Sequence, residues 1–196
     1  MKQLVRCLAC VCALLGGLTG RSPAQSIVSE VRLGVLDHDI GFLASHKEDG
    51  VDLNGEVLFV SPVPYNVVSS IDPRIRWLLT PRPDLGIDVN TAGNTSQLYF
   101  GLVWTAVLFK QVFLPNDHIF TSIGFGPAFN NGEHASSDSN HKSLGSNVLF
   151  HPSLEIGYWF NPHYSLSVYY EHSSNGGLAD RNEGLNNAGI RFGLAF

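Results

Sequence analysis

Residues 189–196 read Gly189-Ile190-Arg191-Phe192-Gly193-Leu194-Ala195-Phe196, so that Ile190, Phe192, Leu194 and Phe196 alternate with Gly189, Arg191, Gly193 and Ala195. Successive side chains of a strand point to opposite faces, which gives this segment one large apolar stripe and one face of small residues bearing a single charge. The same period of two recurs upstream. Ile119, Thr121, Ile123 and Phe125 alternate with Phe120, Ser122, Gly124 and Gly126. Leu154, Ile156 and Tyr158 leave Glu155 on the opposite face, and Leu166, Val168 and Tyr170 leave Glu171 there. Val31, Leu33 and Val35 oppose Arg32, Val57 and Phe59 oppose Glu56, and Ile75, Trp77 and Leu79 oppose Arg74 and Arg76. Punctuated by Gly, Pro, Asn and Asp, the pattern predicts strands near 27–38, 51–61, 71–82, 95–109, 118–129, 146–160, 164–175 and 184–196.

The parity of the charges bears on the choice between a soluble sandwich and a membrane barrel. Every strand-interior Arg and Glu just named lies on the face away from the apolar stripe. A charge on a lipid-facing wall costs about 2–4 kcal/mol at mid-membrane, so a barrel must turn these groups into its lumen, where opposite signs can pair. A sandwich would show the same alternation with its charges in water. Strand length favours the barrel: most of the expected strands run well past the roughly 5–6 residues of a soluble strand and meet the roughly 9–11 tilted residues that cross a bilayer. Asn161-Pro162-His163 reads as a tight turn and Asn130 to Gly145 as a long polar loop, the asymmetry of a barrel with outward loops and both termini periplasmic. No stretch after the N-terminus approaches 18 uninterrupted apolar residues. The expected fold is all-β, an eight-stranded antiparallel up-and-down transmembrane β-barrel.

Composition agrees. The 196 residues are 44% hydrophobic and 15% charged, with 20 glycines, 10 prolines and a net charge of −5. That is one ordinary domain without the basic balance nucleic acid requires. Lys2 and Arg6, the apolar run Cys7–Leu18 and the small residues Ser22-Pro23-Ala24 form a removable export signal, with cleavage expected after Ala24. The mature domain is then 25–196. All three cysteines leave with residues 1–24, excluding disulfides and thiolate chemistry. Losing Lys2, Arg6 and Arg21 from the 12 basic residues leaves nine against 17 acidic ones, a net of −8.

The seventh strand carries chemistry on its lipid side. The stripe Leu166, Val168, Tyr170 continues by parity to His172 and Ser174. Residues i and i+2 stand about 6.6 Å apart on one face, which lets a serine hydroxyl reach an imidazole nitrogen. A hairpin centred near Ala179 sets His172 opposite Asn186, so three polar groups converge where the barrel leaves the outer leaflet. They are equally readable as polar strand ends. Asp37-His38-Asp39 reads as solvated strand-end polarity, His46, His134 and His141 lack ligand spacing, and Trp77, Trp104 and Tyr158 suit interfacial anchoring.

The segment Glu171-His172-Ser173-Ser174-Asn175-Gly176-Gly177-Leu178, followed by Asn182-Glu183-Gly184-Leu185-Asn186, resembles the PagL family of lipid A 3-O-deacylases. The family's H-x-S-N motif falls at 172–175 and its N-x-G-[LI] element at 182–185. The resemblance is closest over 151–196 and looser over Val28 to Asp39. It implies an eight-stranded barrel in the bacterial outer membrane that removes the 3-O-linked hydroxyacyl chain of lipid A without a cofactor or metal. Its partners would be lipopolysaccharide and the membrane, with a homodimer also admitted. Ser174 then matches the nucleophile, His172 its general base, and the backbone at Asn175 with the side chain of Asn182 the oxyanion donors. The family's third triad member, a glutamate, falls at Asn186. Glu183 could replace it only if the loop folds back, while Glu171 faces the lumen and is expected to pair with Arg191 or another lumen arginine. The alternative is a catalytically weak or silent barrel with a structural or lipopolysaccharide-binding role.

Overall fold

A computed structural model describes residues 26–42 and 44–196; the expected export signal lies outside them. Eight antiparallel strands close a barrel in chain order: β1 (Val28–Asp37), β2 (Val51–Phe59), β3 (Arg82–Asn90), β4 (Gln97–Lys110), β5 (His118–Asn130), β6 (Val148–Trp159), β7 (Tyr164–Ser173) and β8 (Leu185–Ala195). β8 seals the barrel against β1, with Leu194 opposite Val31 and Ile190 opposite Val35. Among the described residues no helix is long and apolar enough to cross a membrane. Closure pairs the backbone polar groups between strands, which makes a barrel viable in lipid. The wall is inside-out by the standard of a soluble protein: Val168 is 65% exposed and Ile190 58%, whereas Glu155 and Arg191 are buried.

The lumen is filled. Arg32 lies 2.7 Å from Glu30, 2.5 Å from Glu155 and 3.3 Å from Glu56, and Arg191 pairs with Glu56 and, at 3.5 Å, with Glu155. Leu58, Tyr99, Phe120 and Tyr169 occupy the space between them, with the Arg191 guanidinium 3.9 Å from the Tyr169 ring centre. Buried charges of this kind persist only when paired and hydrogen-bonded. Among the described residues, a lumen so packed leaves no diffusion pore. Glu171 does face inward but meets neither Arg191 nor another arginine among the described residues; it accepts from Asn187 Nδ2 at 2.8 Å and lies 3.5 Å from His151 Nε2. Arg191 is already committed to Glu56 and Glu155.

One strand falls elsewhere than expected. Of the strand expected at 71–82, residues 71–81 do not cross the membrane: they belong to a connection holding α1 (Tyr65–Val68), α2 (Pro73–Arg76) and a 3-10 turn over Trp77–Leu79. Asp72 caps α2, its Oδ1 accepting from Arg74 N at 2.9 Å, and Pro73 brings a φ already suited to a first helical turn. Arg76 then donates to the carbonyls of Ser69 (3.1 Å) and Ile71 (2.9 Å), tying the turn into a knot. The true third strand starts at Arg82 and turns Leu85, Ile87 and Val89 outward. Pro83 sits near its start, where the sheet tolerates a missing donor. Arg74 and Arg76 therefore leave the lumenal charges, and Asp84 and Asp88 join them.

Candidate active site

β7 carries its polar residues to the loop end of the barrel and stops in a bridge. Ser174 N donates to Phe150 O at 3.1 Å and Phe150 N to Ser174 O at 2.8 Å, so the serine backbone is clamped to β6. The chain then turns away through Gly176 (φ 66°) and Gly177 (φ 81°), left-handed conformations that glycine adopts without a Cβ clash. Asn175 shapes this turn: its Oδ1 accepts from Gly177 N (2.9 Å), while Nδ2 donates to Leu144 O (2.8 Å) and Arg181 O (2.5 Å).

His172 stands opposite Asn186 in the β7–β8 register. Its Nε2 lies 2.9 Å from Ser174 Oγ and its Nδ1 2.7 Å from Asn186 Oδ1. A carboxamide oxygen facing Nδ1 can only accept, so the ring proton sits on Nδ1 and the Nε2 lone pair faces the serine, the tautomer a general base needs. Tyr170 reinforces this choice by donating its hydroxyl to the same oxygen at 2.8 Å. Asn186 is fully buried, and its Nδ2 has no partner among the described residues. Glu183 does not approach the histidine. It accepts from Lys47 Nζ (2.6 Å) and Ser143 N (2.7 Å), because the loop folds toward its neighbours rather than back over β7. The two expected oxyanion groups touch each other: Asn175 N donates to Asn182 Oδ1 at 3.0 Å. Asn182 is exposed, so its carboxamide can turn Nδ2 toward an incoming oxyanion and release the Asn175 N–H.

Three loops form a cap around this relay. Lys142, fully buried, pairs with Asp39 at 2.9 Å and donates to Gly184 O (3.0 Å) and Ser45 O. Ile40 N donates to Asn186 O at 2.7 Å, and Phe42 packs edge-on against Tyr170 with ring centres 5.9 Å apart. Between the loops lies a recess of about 380 Å³ lined by Ser45, Lys142, His172, Ser174, Asn182 and Gly184. A second, mostly apolar groove of about 340 Å³ runs past Val148, Phe150, Asn175, Leu178 and Ala179. Tyr170 could have been found by parity, two residues before His172 on the same face. Lys142 had no local signal, since loops distant in sequence bring it in.

His38 and Asp39, expected to be solvated, are buried beneath the cap. His38 bonds Asp52 at 2.8 Å and Glu48 at 3.2 Å. Burial works against its protonation, but these two carboxylates outweigh it and raise its pKa to about 9. Burial also disfavours charge on Glu48, yet hydrogen bonds from His38 and from the backbone N–H groups of Lys142 and Thr95 bring it down to about 2. The signs follow from linkage. The His38 contribution is complete below its unfolded pKa of 6.5 and lost as pH rises through about 9. That of Glu48 is complete above 4.5 and lost as pH falls through about 2. Hydrogen exchange in residues 38–50 and 131–147, corrected for intrinsic rates, should be slowest between those unfolded values and accelerate through about 9. A flat alkaline limb would show that the pair does not hold the cap.

A closed barrel with an apolar outer wall and a serine–histidine contact at its loop end defines the class: a β-barrel of the outer-membrane type. A family model of lipid A 3-O-deacylases (PagL) matches residues 65–195. The chain belongs to that family, whose members act on lipid A in the outer membrane. Among solved structures it is similar to the crystal structure of the outer membrane enzyme PagL, with TM-score 0.64 and 18% identity over 86% of this chain and 100% of that one. A weaker likeness, TM-score 0.47 at 8% identity, covers 86% of this chain and 98% of the N-terminal β-barrel domain of Pseudomonas aeruginosa OprF. No curated protein sequence matches.

Proposed function

We propose that this chain hydrolyses the 3-O-acyl ester of lipid A by a Ser-His mechanism on the lipid-facing side of the barrel. The observation that carries the reading is the hydrogen-bonded line Asn186–His172–Ser174 at the outer-leaflet end of β7. His172 Nε2 takes the Ser174 proton as Oγ attacks the ester carbonyl. Asn175 N–H and a rotated Asn182 Nδ2 hold the oxyanion. Collapse expels the sugar 3-hydroxyl, which takes its proton from His172 and leaves an acyl-serine. Water, deprotonated by the same imidazole, then releases the hydroxy fatty acid. A substrate that is itself a membrane lipid reaches an outward-facing serine laterally. The apolar groove along Val148, Phe150 and Leu178, beside Ser174, suits the acyl chain. The segment before residue 25 would be the signal that exports it.

Mass spectrometry of lipid A after incubation with the refolded protein tests this. Loss of one hydroxyacyl mass from position 3 is expected. An unchanged spectrum beside a working deacylase would favour the second reading, a silent barrel that binds lipopolysaccharide, which the neutral Asn186 specifically supports.

A substitution at Gly184 probes the positioning of the base. A Cβ on Gly184 would lie 2.5 Å from His172 Cε1 and 3.3 Å from Nε2. Gly184→Ala must push the imidazole off the serine while leaving the strands alone. Misplacing a catalytic group by about 1 Å costs about 100-fold, so deacylation should fall by about that factor in a barrel that still resists heat on gels. Undiminished turnover would show that His172 need not sit where it does.

A further inference from the structure

The connection between β2 and β3 lies at the end of the barrel where the other links are short, as at Phe160–His163, yet it spans residues 60–81. Its surface is unlike that of a turn in water. Tyr65 is 68% exposed and Val67 63%, and Ile75, Leu78 and Leu79 are each about half exposed. These side chains do not stand alone. Trp104 Nε1, on the outer wall of β4, donates to Leu78 O at 3.0 Å, so the 3-10 turn rests against the lipid-facing side of the barrel.

The strand register explains why. Arg82 at the start of β3 pairs with Val103, so β4 runs on through 104–110 with β5 as its only strand neighbour among the described residues. That extension, about 23 Å along the strand at 3.3 Å per residue, leaves an open backbone edge that hydrocarbon would not tolerate unless covered or placed at the interface. The Trp77–Leu79 turn lies beside its beginning. The extended hairpin is apolar too, with Phe109 64% and Phe113 80% exposed.

The charges fit the same level. Arg76 is used internally, stacked over the Tyr65 ring and bonded to nearby carbonyls. Arg74 is exposed, and its guanidinium pairs with no group among the described residues. An apolar face with an unpaired arginine and a neighbouring tryptophan is the composition of a segment lying in a membrane interface.

We propose that residues 63–79, together with the β4–β5 hairpin, form a phospholipid-binding ledge in the periplasmic leaflet of the outer membrane. Val67, Ile75, Leu78 and Leu79 lie among acyl chains and Arg74 meets a lipid phosphate. The ledge fixes how deep and at what tilt the barrel sits, and hence the height at which the loop end meets the opposite leaflet. Continuity with the lipid-facing wall at Trp104 identifies phospholipid as the occupant, in preference to a soluble periplasmic protein.

The test uses the refolded full chain in phosphatidylethanolamine–phosphatidylglycerol vesicles. Subtracting the emission of Trp77→Phe from that of the parent isolates Trp77. The ledge requires that most of this emission be lost to lipids brominated high on their acyl chains, less to deeply brominated lipids, and that aqueous acrylamide have little effect. Arg74→Glu should reduce the shallow quenching in proportion to the phosphatidylglycerol content. Quenching by acrylamide with no response to either brominated lipid would place the segment in water and overturn the proposal. Equal quenching in parent and Arg74→Glu at every lipid composition would remove Arg74 from it.

Discussion

Ser174→Ala is expected to remove deacylation while leaving a folded, heat-modifiable barrel. The serine backbone is held by two main-chain bonds to Phe150, and among the described residues its Oγ makes a single hydrogen bond, to His172. The substitution therefore deletes the proposed nucleophile without touching the sheet. The size of the drop can be bounded. Removing the serine from an intact triad costs about 10⁶ in turnover, and a neutral residue in place of the triad carboxylate costs about 10⁴ before any further change. Because triad members act as a unit, a parent with Asn186 would already have lost at most that second factor. Ser174→Ala should then lower the rate by at least about 100-fold rather than by the full million. The check is the rate of hydroxy fatty acid release from lipopolysaccharide, with folding followed by gel mobility before and after boiling. Retained activity would exclude the serine mechanism, whatever the family.

The barrel was legible because its strongest signal is local. Period-two alternation in β5, β6, β7 and β8 assigns each side chain to lumen or lipid without knowledge of any partner strand, and the observed burial of Glu155 and Arg191 follows that parity. The His172–Asn186 pairing was legible for the same reason, since the length of one hairpin fixes its register. The third strand was lost because Ile75, Trp77 and Leu79 satisfy the same alternation inside a capped helical turn, while Asp84, Asp88 and Pro83 disguise the strand that follows. What decided between them was Asp72 capping a helix with Pro73 at its first position, a cue that outweighs three alternating apolar residues. The cap was illegible for another reason. Lys142 meets Asp39, Ser45 and Gly184 from more than 40 residues away, and no spacing rule reaches so far. Solvated loop polarity and a buried loop network read alike until the loops are folded together.

Restoring a carboxylate opposite His172 should raise turnover, and the geometry sets how. In Asn186→Asp the new oxygen occupies the place of Oδ1, already 2.7 Å from His172 Nδ1 and 2.8 Å from the Tyr170 hydroxyl. Both neighbours donate to that oxygen, while the second takes the place of Asn186 Nδ2, which has no partner among the described residues; the added charge stabilises the imidazolium formed during attack. Asn186→Glu supplies the glutamate that the resemblance implies at this position but lengthens the side chain by one methylene toward a ring already in contact. The β8 backbone at 186, bonded to Ile40 N, must shift to admit it. The isostere should therefore gain first. The full effect of the charge is about 10⁴, but much of that figure reflects a wrong tautomer, which Asn186 Oδ1 and Tyr170 here prevent. A gain of about 100-fold in the rate of acyl release is expected for Asn186→Asp. Asn186→Leu, which removes the acceptor altogether, should fall below the parent, because nothing then holds the proton on Nδ1. If Asp, Asn and Leu at this position all turn over alike, residue 186 is a buried strand residue, and the relay drawn through it has no part in the chemistry.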